Sequence, residues 1–346
     1  MATIERYRLL APSDREWKRV SMQLASAGFF QHPNWIGLLA ACYGYLPRVL
    51  AITGAGGHII AGLPIMRVKS PLTGTRWVSL PFSDYCTPYF DSDDALEQLA
   101  DALVDLQDRV ECQRIELRWH YPARGNMFSH TEYVLHRLVL QPSTHQQSQN
   151  VHRMHRQNTR NARKNGLRIE RGTDLDHIRQ FYRLQLETRQ RKGLPPQPWR
   201  FFRLLKDYLF DSDLGFVMLA YQGDECLAGV VLFCWQGSII CKYAASQKAT
   251  LSLRPNNLLF WSAICWGCEN EYTTFDFGRS ECSNTGLREF KGRWGATEIP
   301  LLYTTYSPHH TADSNARLMD VAQVVCRRSP RWLRRTVGEY FYGHFG

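Results

Sequence analysis

Thr274-Phe275-Asp276-Phe277-Gly278-Arg279-Ser280 opens the stretch that decides the fold. Asn284-Thr285-Gly286-Leu287 follows, then Phe290-Lys291-Gly292-Arg293-Trp294-Gly295-Ala296, and a further strand runs to Tyr303. The first block predicts a strand over 273–277 that ends in a glycine. Glycine lets the chain turn there and brings Asp276 and Arg279 to the strand's mouth. A second glycine loop leads to a short helix that presents Lys291 beside Phe290 and Trp294. An ammonium so placed suits stabilising a developing oxyanion; a plain salt bridge to a neighbour is the alternative. Asp276 suits orienting an acceptor amine or taking its proton, and pairing with Arg279 is the equal alternative.

Working outward, the preceding residues predict a basic helix, helices over 174–191 and 198–210, and strands at 215–221, 226–235 and 238–245. A helix over 256–269 then leads into the strand of the deciding stretch, and the closing strand lies near 298–304. The first half is similar in outline. An apolar helix through Cys42 ends near Gly44 and Pro47. Strands at 48–53 and 58–68 turn on Gly54-Ala55-Gly56-Gly57, a hairpin signal, and another lies near 76–80. Leu96, Leu99, Ala100, Leu103 and Leu106 fall at helical spacing within 93–110, and strands follow near 113–119 and 132–140. Residues 141–150 are polar, without an apolar period, and are expected to be a linker. The expected fold class is therefore α+β, as two α/β-sandwich halves at 1–145 and 151–310, each a mixed, mostly antiparallel sheet flanked by helices. A basic helical tail at 311–346 completes the expectation.

The chain's 346 residues allow two cores of ordinary size, and 44% hydrophobic with 12% aromatic content marks a folded globular protein. No apolar run approaches the roughly 18 residues of a membrane helix. The first residues lack the basic-then-apolar build of a secretory signal, so the expected location is the cytoplasm, with its membrane face left open. Ten cysteines are then expected to be reduced. The close pair Cys265 and Cys268 has no second pair to complete a zinc site, and no metal is expected.

The net charge of +10 is localised. Residues 153–171 carry seven basic residues and one acid, and residues 327–335 carry five arginines and no acid. Arg153, Arg156, Arg160 and Arg163 or Lys164 recur at three- and four-residue spacing and share one helix face. Such a face can hold the phosphates of a nucleotide-linked acceptor, a tRNA or a lipid headgroup, or simply be solvated. Base-stacking aromatics are not interleaved with it, which argues against general DNA binding. The arginines of 327–335 leave peripheral membrane contact open. Residues 80–90, rich in turn formers and aromatics, suit a binding loop in which Asp84 and Tyr85 meet a polar acceptor. His32, beside Pro33, suits acid–base work or a helix start, and Trp35 suits core or pocket wall.

Phe-Asp-Phe-Gly-Arg-Ser, Asn-x-Gly-Leu and Phe-Lys-x-x-Trp-Gly-Ala together resemble the C-terminal signature of Fem-like proteins, a branch of the GNAT superfamily. That branch includes peptidoglycan bridge aminoacyl transferases and exopolysaccharide-associated relatives. Phe29-Phe30-Gln31-His32-Pro33-Asn34-Trp35, Leu80 to Tyr85, the run Arg156 to Gly166, and Arg189 to Pro195 also resemble it, so the likeness spans 29–303. The resemblance implies two GNAT-like domains with an acceptor groove between them. It implies acyl or aminoacyl transfer from an activated carrier to an amine of a cell-envelope precursor, nucleotide- or lipid-linked. Lys291 and Asp276 are the implied catalytic residues. His32, Trp35, Asp84, Tyr85, Arg160, Lys164, Tyr243, Arg279, Asn284 and Gly286 are the substrate-binding candidates.

One segment departs from the superfamily pattern. Where CoA-dependent GNAT enzymes carry a glycine-rich loop whose N–H groups grip pyrophosphate, residues 245–256 contain no glycine. Lys248, Arg254 and Asn256 are the donor-binding candidates there. The donor is expected to be acyl-CoA or aminoacyl-tRNA, with no bound cofactor. Two alternatives stand beside acyl transfer to an envelope precursor: a CoA-dependent small-molecule N-acetyltransferase, and a non-catalytic envelope-assembly protein that keeps the fold.

Overall fold

A computed structural model describes residues 7–23, 28–71, 74–110, 114–307 and 342–345. These fall into two compact units. The first takes residues up to 132 with 301–307 and 343–345; the second takes 133–300 with Tyr342. The arginine-rich stretch 327–335 and most of the expected tail lie outside the described residues.

The first unit begins with β1 (Arg8–Leu10) and α1 (Arg15–Gln23), followed by α2 (Pro33–Tyr43). The apolar α2 starts where Pro33 occupies its first turn and His32 caps it, and it stops at Gly44, whose φ of 71° only glycine takes cheaply. Next come β2 (Leu46–Thr53), β3 (Ile59–Ser70), β4 (Gly74–Val78), the short β5 (Tyr89–Phe90), α3 (Asp93–Val110) and β6 (Arg114–Leu117). The predicted hairpin is β2 with β3, antiparallel from Leu46 opposite Arg67 to Thr53 opposite Ile59. β4 pairs with β3 antiparallel and with β6 in parallel.

Two strands carry residues of both units, β7 (Met127–Val139) and β13 (Thr297–Tyr306). In the first unit Thr304–Tyr306 pair antiparallel with β6.

The second unit contains α4 (Thr144–Asn150), α5 (Arg153–Lys164), β8 (Leu167–Gly172), α6 (Leu175–Lys192), α7 (Trp199–Tyr208), β9 (Gly215–Gln222), β10 (Glu225–Trp235), β11 (Ser238–Ser246), α8 (Pro255–Glu269), β12 (Thr274–Glu281) and α9 (Thr285–Gly292). Its strands lie in the order β7, β12, β11, β10, β9, β8, antiparallel except for β11 against β12. Period-two alternation divides β10 between two faces. Ala228, Val230 and Leu232 join Leu259 and Ala263 of α8 in one core, and Gly229 lies against Phe181 of α6. Each unit is a mixed sheet flanked by helices, the expected α+β class, with the units dividing at 132/133 and 300/301.

The expected linker is a correction. Residues 144–150 form α4: Ser143 caps it by accepting from Gln146 N, and Gln147 is fully buried, its Oε1 accepting from Gln141 N at 2.9 Å. Its anchoring contact is an amide side chain, so no apolar period announces the helix. Among the described residues no helix is long and apolar enough to cross a membrane.

Gly215 of β9 leaves no room for a side chain, since an added Cβ would stand 2.3 Å from the Leu232 carbonyl oxygen. Gly215→Ala is expected to destabilise the protein by about 1–3 kcal/mol, the usual cost of overpacking. A thermal melt checks this; an unchanged midpoint would contradict the packing.

Candidate functional site

The deciding stretch folds around an irregularity in β12. Thr274, Phe275 and Asp276 pair with Val139, Leu138 and Arg137 of β7, after which the register slips so that Arg279 faces Leu135. Phe277 and Gly278 therefore oppose the single residue His136, a β-bulge. Gly278 takes a φ of 70°, which a side chain would strain. Asp276, 2% exposed, accepts the Gly278 N–H on Oδ1 at 2.7 Å. The carbonyls beyond the bulge are met from α9: Lys291 Nζ donates to Gly278 O at 2.7 Å and to Arg279 O at 3.1 Å.

Lys291 is 5% exposed, and a buried ammonium is tolerable only when its protons find oxygen. Asn284 starts α9 by accepting from Leu287 N at 3.1 Å, and Lys291 lies in the last turn, where the helix dipole favours a cation. Phe290 and Trp294 hold that end in place. Both pack on Phe260 of α8 and on His155 of α5.

Opposite the bulge stands a group that motif reading did not single out. His136 is fully buried, with Nε2 3.1 Å from Glu298 Oε1, and Arg288 holds that carboxylate through Nε at 2.9 Å and Nη2 at 2.7 Å. Burial first, and then the charge of Lys291, push the His136 pKa down, so the imidazole is neutral. Arg279 lays its guanidinium over Tyr133, 4.1 Å from the ring centre. His136 and Glu298 are 162 residues apart; the sequence offered only a residue inside a predicted strand.

Next to the bulge, two strands part. β11 and β12 run in parallel register at Ser238–Ile240 and Thr274–Asp276, and among the described residues their ladder stops there. Beyond it β11 has its own bulge against β10: Val231 faces Tyr243 and Leu232 faces Cys241, leaving Lys242 extra. Asp276 sits at the fork. Tyr243, beyond it on β11, packs edge-on against Phe201 and Phe202 of α7.

The loop between β11 and α8 explains the missing glycines. Four of its amides are bonded within the protein: Gln247 N to Leu227 O, Lys248 N to Glu187 Oε1, Leu253 N to Thr250 O and Arg254 N to Leu251 O. These N–H groups are spent and form no backbone cradle. The side chains of Lys248 and Arg254 are exposed, and Asn256 is half-buried in the first turn of α8. Beside this loop a pocket of about 480 Å³ opens between α6 and the β9–β10 turn. Glu187, Asp224 and Glu225 outnumber Arg183 in its lining and disfavour a phosphate there. A second unpredicted link joins three helices: His155 meets the Asn257 amide through Nδ1 at 3.1 Å and the Phe290 carbonyl through Nε2 at 2.9 Å.

The structure does not gather all the candidates. Asp276, Lys291 and Arg279 converge on the bulge, and Tyr243 lies on the adjoining strand. Arg153, Arg156, Arg160, Arg163 and Lys164 are exposed along α5, while His155, Thr159 and Ala162 face inward. Asn284 serves as a helix cap, and Gly286 is exposed with open space around it.

In the first unit His32 accepts from Asn34 N at 3.1 Å as a helix cap, and burial lowers its pKa. Trp35 is fully buried, donates to Ser83 Oγ at 2.9 Å and presents no surface to a ligand. Asp84 is buried and its carbonyl accepts from Tyr303 OH at 2.5 Å; Tyr85 is half-buried against Phe30. Leu80 and Phe82, at φ of 55° and 61°, show that the 80–90 loop is held in a strained path. Cys265 and Cys268 lie in α8, and burial raises the Cys265 thiol to about 12, so it stays protonated.

Residues 149–292 match the family described as the acetyltransferase (GNAT) domain. The fold is similar to a crystal structure of FemX, at 15% identity over 92% of this chain and 99% of that one, with a TM-score of 0.68. It is also similar to L-PGS from Bacillus licheniformis, at 14% identity over 91% and 98% of the two chains and a TM-score of 0.55. A tandem GNAT protein from the clavulanic acid biosynthesis pathway matches at 9% identity over 88% and 99%, with a TM-score of 0.52. No curated protein matches the chain.

Glu298 supplies a test of the site's electrostatics. Its hydrogen bond from Arg288 holds its pKa below the ordinary 4.5. A depressed carboxylate pKa stabilises the fold above the unfolded value, and that contribution is lost as pH falls through the folded one. Glu298→Gln is therefore expected to melt below the parent at pH 7, the gap closing as pH drops beneath 4.5. A gap that persists undiminished at pH 3 would contradict the assignment.

Proposed function

From the premise that residues 149–292 are a GNAT acetyltransferase domain in a chain with the fold of FemX, which supports the Fem-like branch of that superfamily, we propose a specific transfer. The protein moves an acyl group from acyl-CoA to an amine of a cell-envelope or polysaccharide precursor. The observation that carries this reading is the fork between β11 and β12. Two strands that diverge after Ile240 and Asp276 turn peptide edges toward one gap, and an extended carrier arm rich in amides can bond to such edges as an added strand does. The acyl thioester then lies by the bulge that Lys291 and Asp276 hold.

The chemistry follows from the groups there. A neutral amine attacks the thioester carbonyl carbon. The C–N bond forms, the C–S bond breaks, and the departing thiolate takes up, directly or through water, the proton the amine gives off. Lys291 plays two parts in this account. Its hydrogen bonds to Gly278 O and Arg279 O fix the bulge, and its buried positive charge favours the oxyanion of the tetrahedral intermediate. Asp276, tied to Gly278 N, orients the incoming amine. Exposed Lys248 and Arg254 hold the carrier's phosphates in place of backbone amides. The basic face of α5 receives the phosphates of a nucleotide- or lipid-linked acceptor.

The spent amides of Gln247, Lys248, Leu253 and Arg254 favour a second reading, in which the carrier is not CoA but another activated ester such as an aminoacyl-tRNA. Competition separates the two: free CoA inhibits the first and leaves the second untouched.

The test is turnover. With acetyl-CoA and a panel of nucleotide-linked amino sugars, thiol release is expected, and Lys291→Ala should lower kcat about a hundredfold or more, the usual loss for an oxyanion-stabilising group. Acetyl-CoA affinity should fall by far less than kcat, because the β11 edge of the fork does not depend on the lysine. Equal turnover by parent and variant would sink the role assigned to Lys291.

A further inference from the structure

In the first unit, a file of hydroxyls runs across three strands to a histidine. β13 lies between β6 and β7, with Thr304 directly opposite Leu117 of β6. The Thr304 side chain, 1% exposed, accepts from Tyr121 N at 3.0 Å, just past the end of β6. On its other side Thr304 Oγ1 meets Ser129 Oγ of β7 at 3.0 Å. Ser129 Oγ in turn lies 3.1 Å from His120 Nδ1. Ser129 and His120 are both exposed.

The polarity of this file follows from its buried end. Tyr121 N can only donate, so Thr304 accepts there. Among the described residues, the Thr304 hydrogen has one acceptor in reach, the Ser129 oxygen. A buried polar group left without its partner is costly, so Thr304 donates to Ser129. With that lone pair taken, Ser129 gives its own hydrogen to Nδ1 of His120, in the tautomer that keeps its proton on Nε2. Other serines donate to amide oxygens: Ser148 to His145 O at 2.7 Å and Ser143 to Gln146 Oε1 at 3.2 Å. An amide oxygen does not take the proton away near neutral pH, whereas an imidazole nitrogen does.

We propose that Ser129 is a nucleophile, with His120 as its general base, and that it takes the acyl group of an activated ester onto its own oxygen. Ser129 Oγ attacks the ester carbonyl carbon as its proton passes to His120 Nδ1. The C–O bond to the serine forms, the bond to the leaving oxygen breaks, and the imidazolium returns its proton to that oxygen. Water then attacks the acyl-serine, giving a proton to His120, and the serine leaves with that proton as the acid is released. The hydrogen bond from Thr304 favours the serine oxygen while it carries negative charge. Both side chains are exposed, so water meets the oxyanion, and the substrate must bring a good leaving group. Small aryl esters are that class. This activity uses neither CoA nor an amine acceptor and stands apart from the transfer proposed above.

Incubation of the full chain with p-nitrophenyl acetate, followed by peptide mapping in a mass spectrometer, tests this. Ser129 should become acetylated, and Ser129→Ala should remove that label. His120→Gln keeps a polar partner beside the serine but no base, and should slow acetylation of Ser129 about a hundredfold, the lower end of what a general base contributes. Both variants should melt with the parent, since the substituted side chains are exposed. The chain unfolded in urea keeps the serine but loses the file of hydrogen bonds, and should acetylate Ser129 no faster than His120→Gln does. Label confined to other residues, equal rates in parent and His120→Gln, or equal labelling of folded and unfolded chain would overturn the proposal.

Discussion

A buried ammonium must give its protons to oxygen, and in this protein Lys291 gives them to the carbonyls of Gly278 and Arg279. Those carbonyls are exposed to it because β12 bulges, and the bulge exists because Gly278 takes a left-handed φ and Asp276 accepts its N–H. The remaining architecture serves this arrangement. Asn284 starts the helix that carries the lysine, and Phe290 and Trp294 fasten that helix's end to α8 and α5. His136 fills the place opposite the bulge, kept neutral by burial and by the lysine it faces. Removing the ammonium would take a donor from the buried Gly278 carbonyl and the part-buried Arg279 carbonyl, a cost of the order of 1–3 kcal/mol for the buried one.

The fork between β11 and β12 has the same origin. A strand that bulges cannot keep register with both neighbours, so β12 keeps β7 by slipping and loses β11 after Asp276. β11 does the converse, holding β10 across an extra Lys242. The two irregularities end the ladder between these strands beside Asp276, close to the bulge that Lys291 holds. Under the proposed chemistry, the irregularity that a lysine stabilises is also where the carrier arm would enter.

Much of this was legible in the sequence. Gly278 signals its turn and Lys291 its place on a short helix by residue type and spacing, whereas Asn284, a substrate-binding candidate in the sequence, caps that helix. The helices over 93–110 and 174–191 declare themselves by period. What was not legible depends on distance or on compensation. His136 and Glu298 meet across 162 residues, and neither sits in a motif. α4 hid because a buried glutamine, not an apolar stripe, anchors it. Trp35 read as core or pocket wall, and only three-dimensional packing decides for core. The donor loop's lack of glycine was legible, but the partners of its Gln247 and Lys248 amides lie far off in sequence and were not.

Backbone hydrogen exchange of the full chain, with and without saturating acetyl-CoA, addresses the central claim most directly. Amides of β11 from Cys241 onward and of β12 from Phe277 onward should slow on addition of the ligand, while the laddered Ser238–Ile240 and Thr274–Asp276 change little. Exchange that is unaltered at both edges of the fork, or protection confined to other strands, would contradict the account.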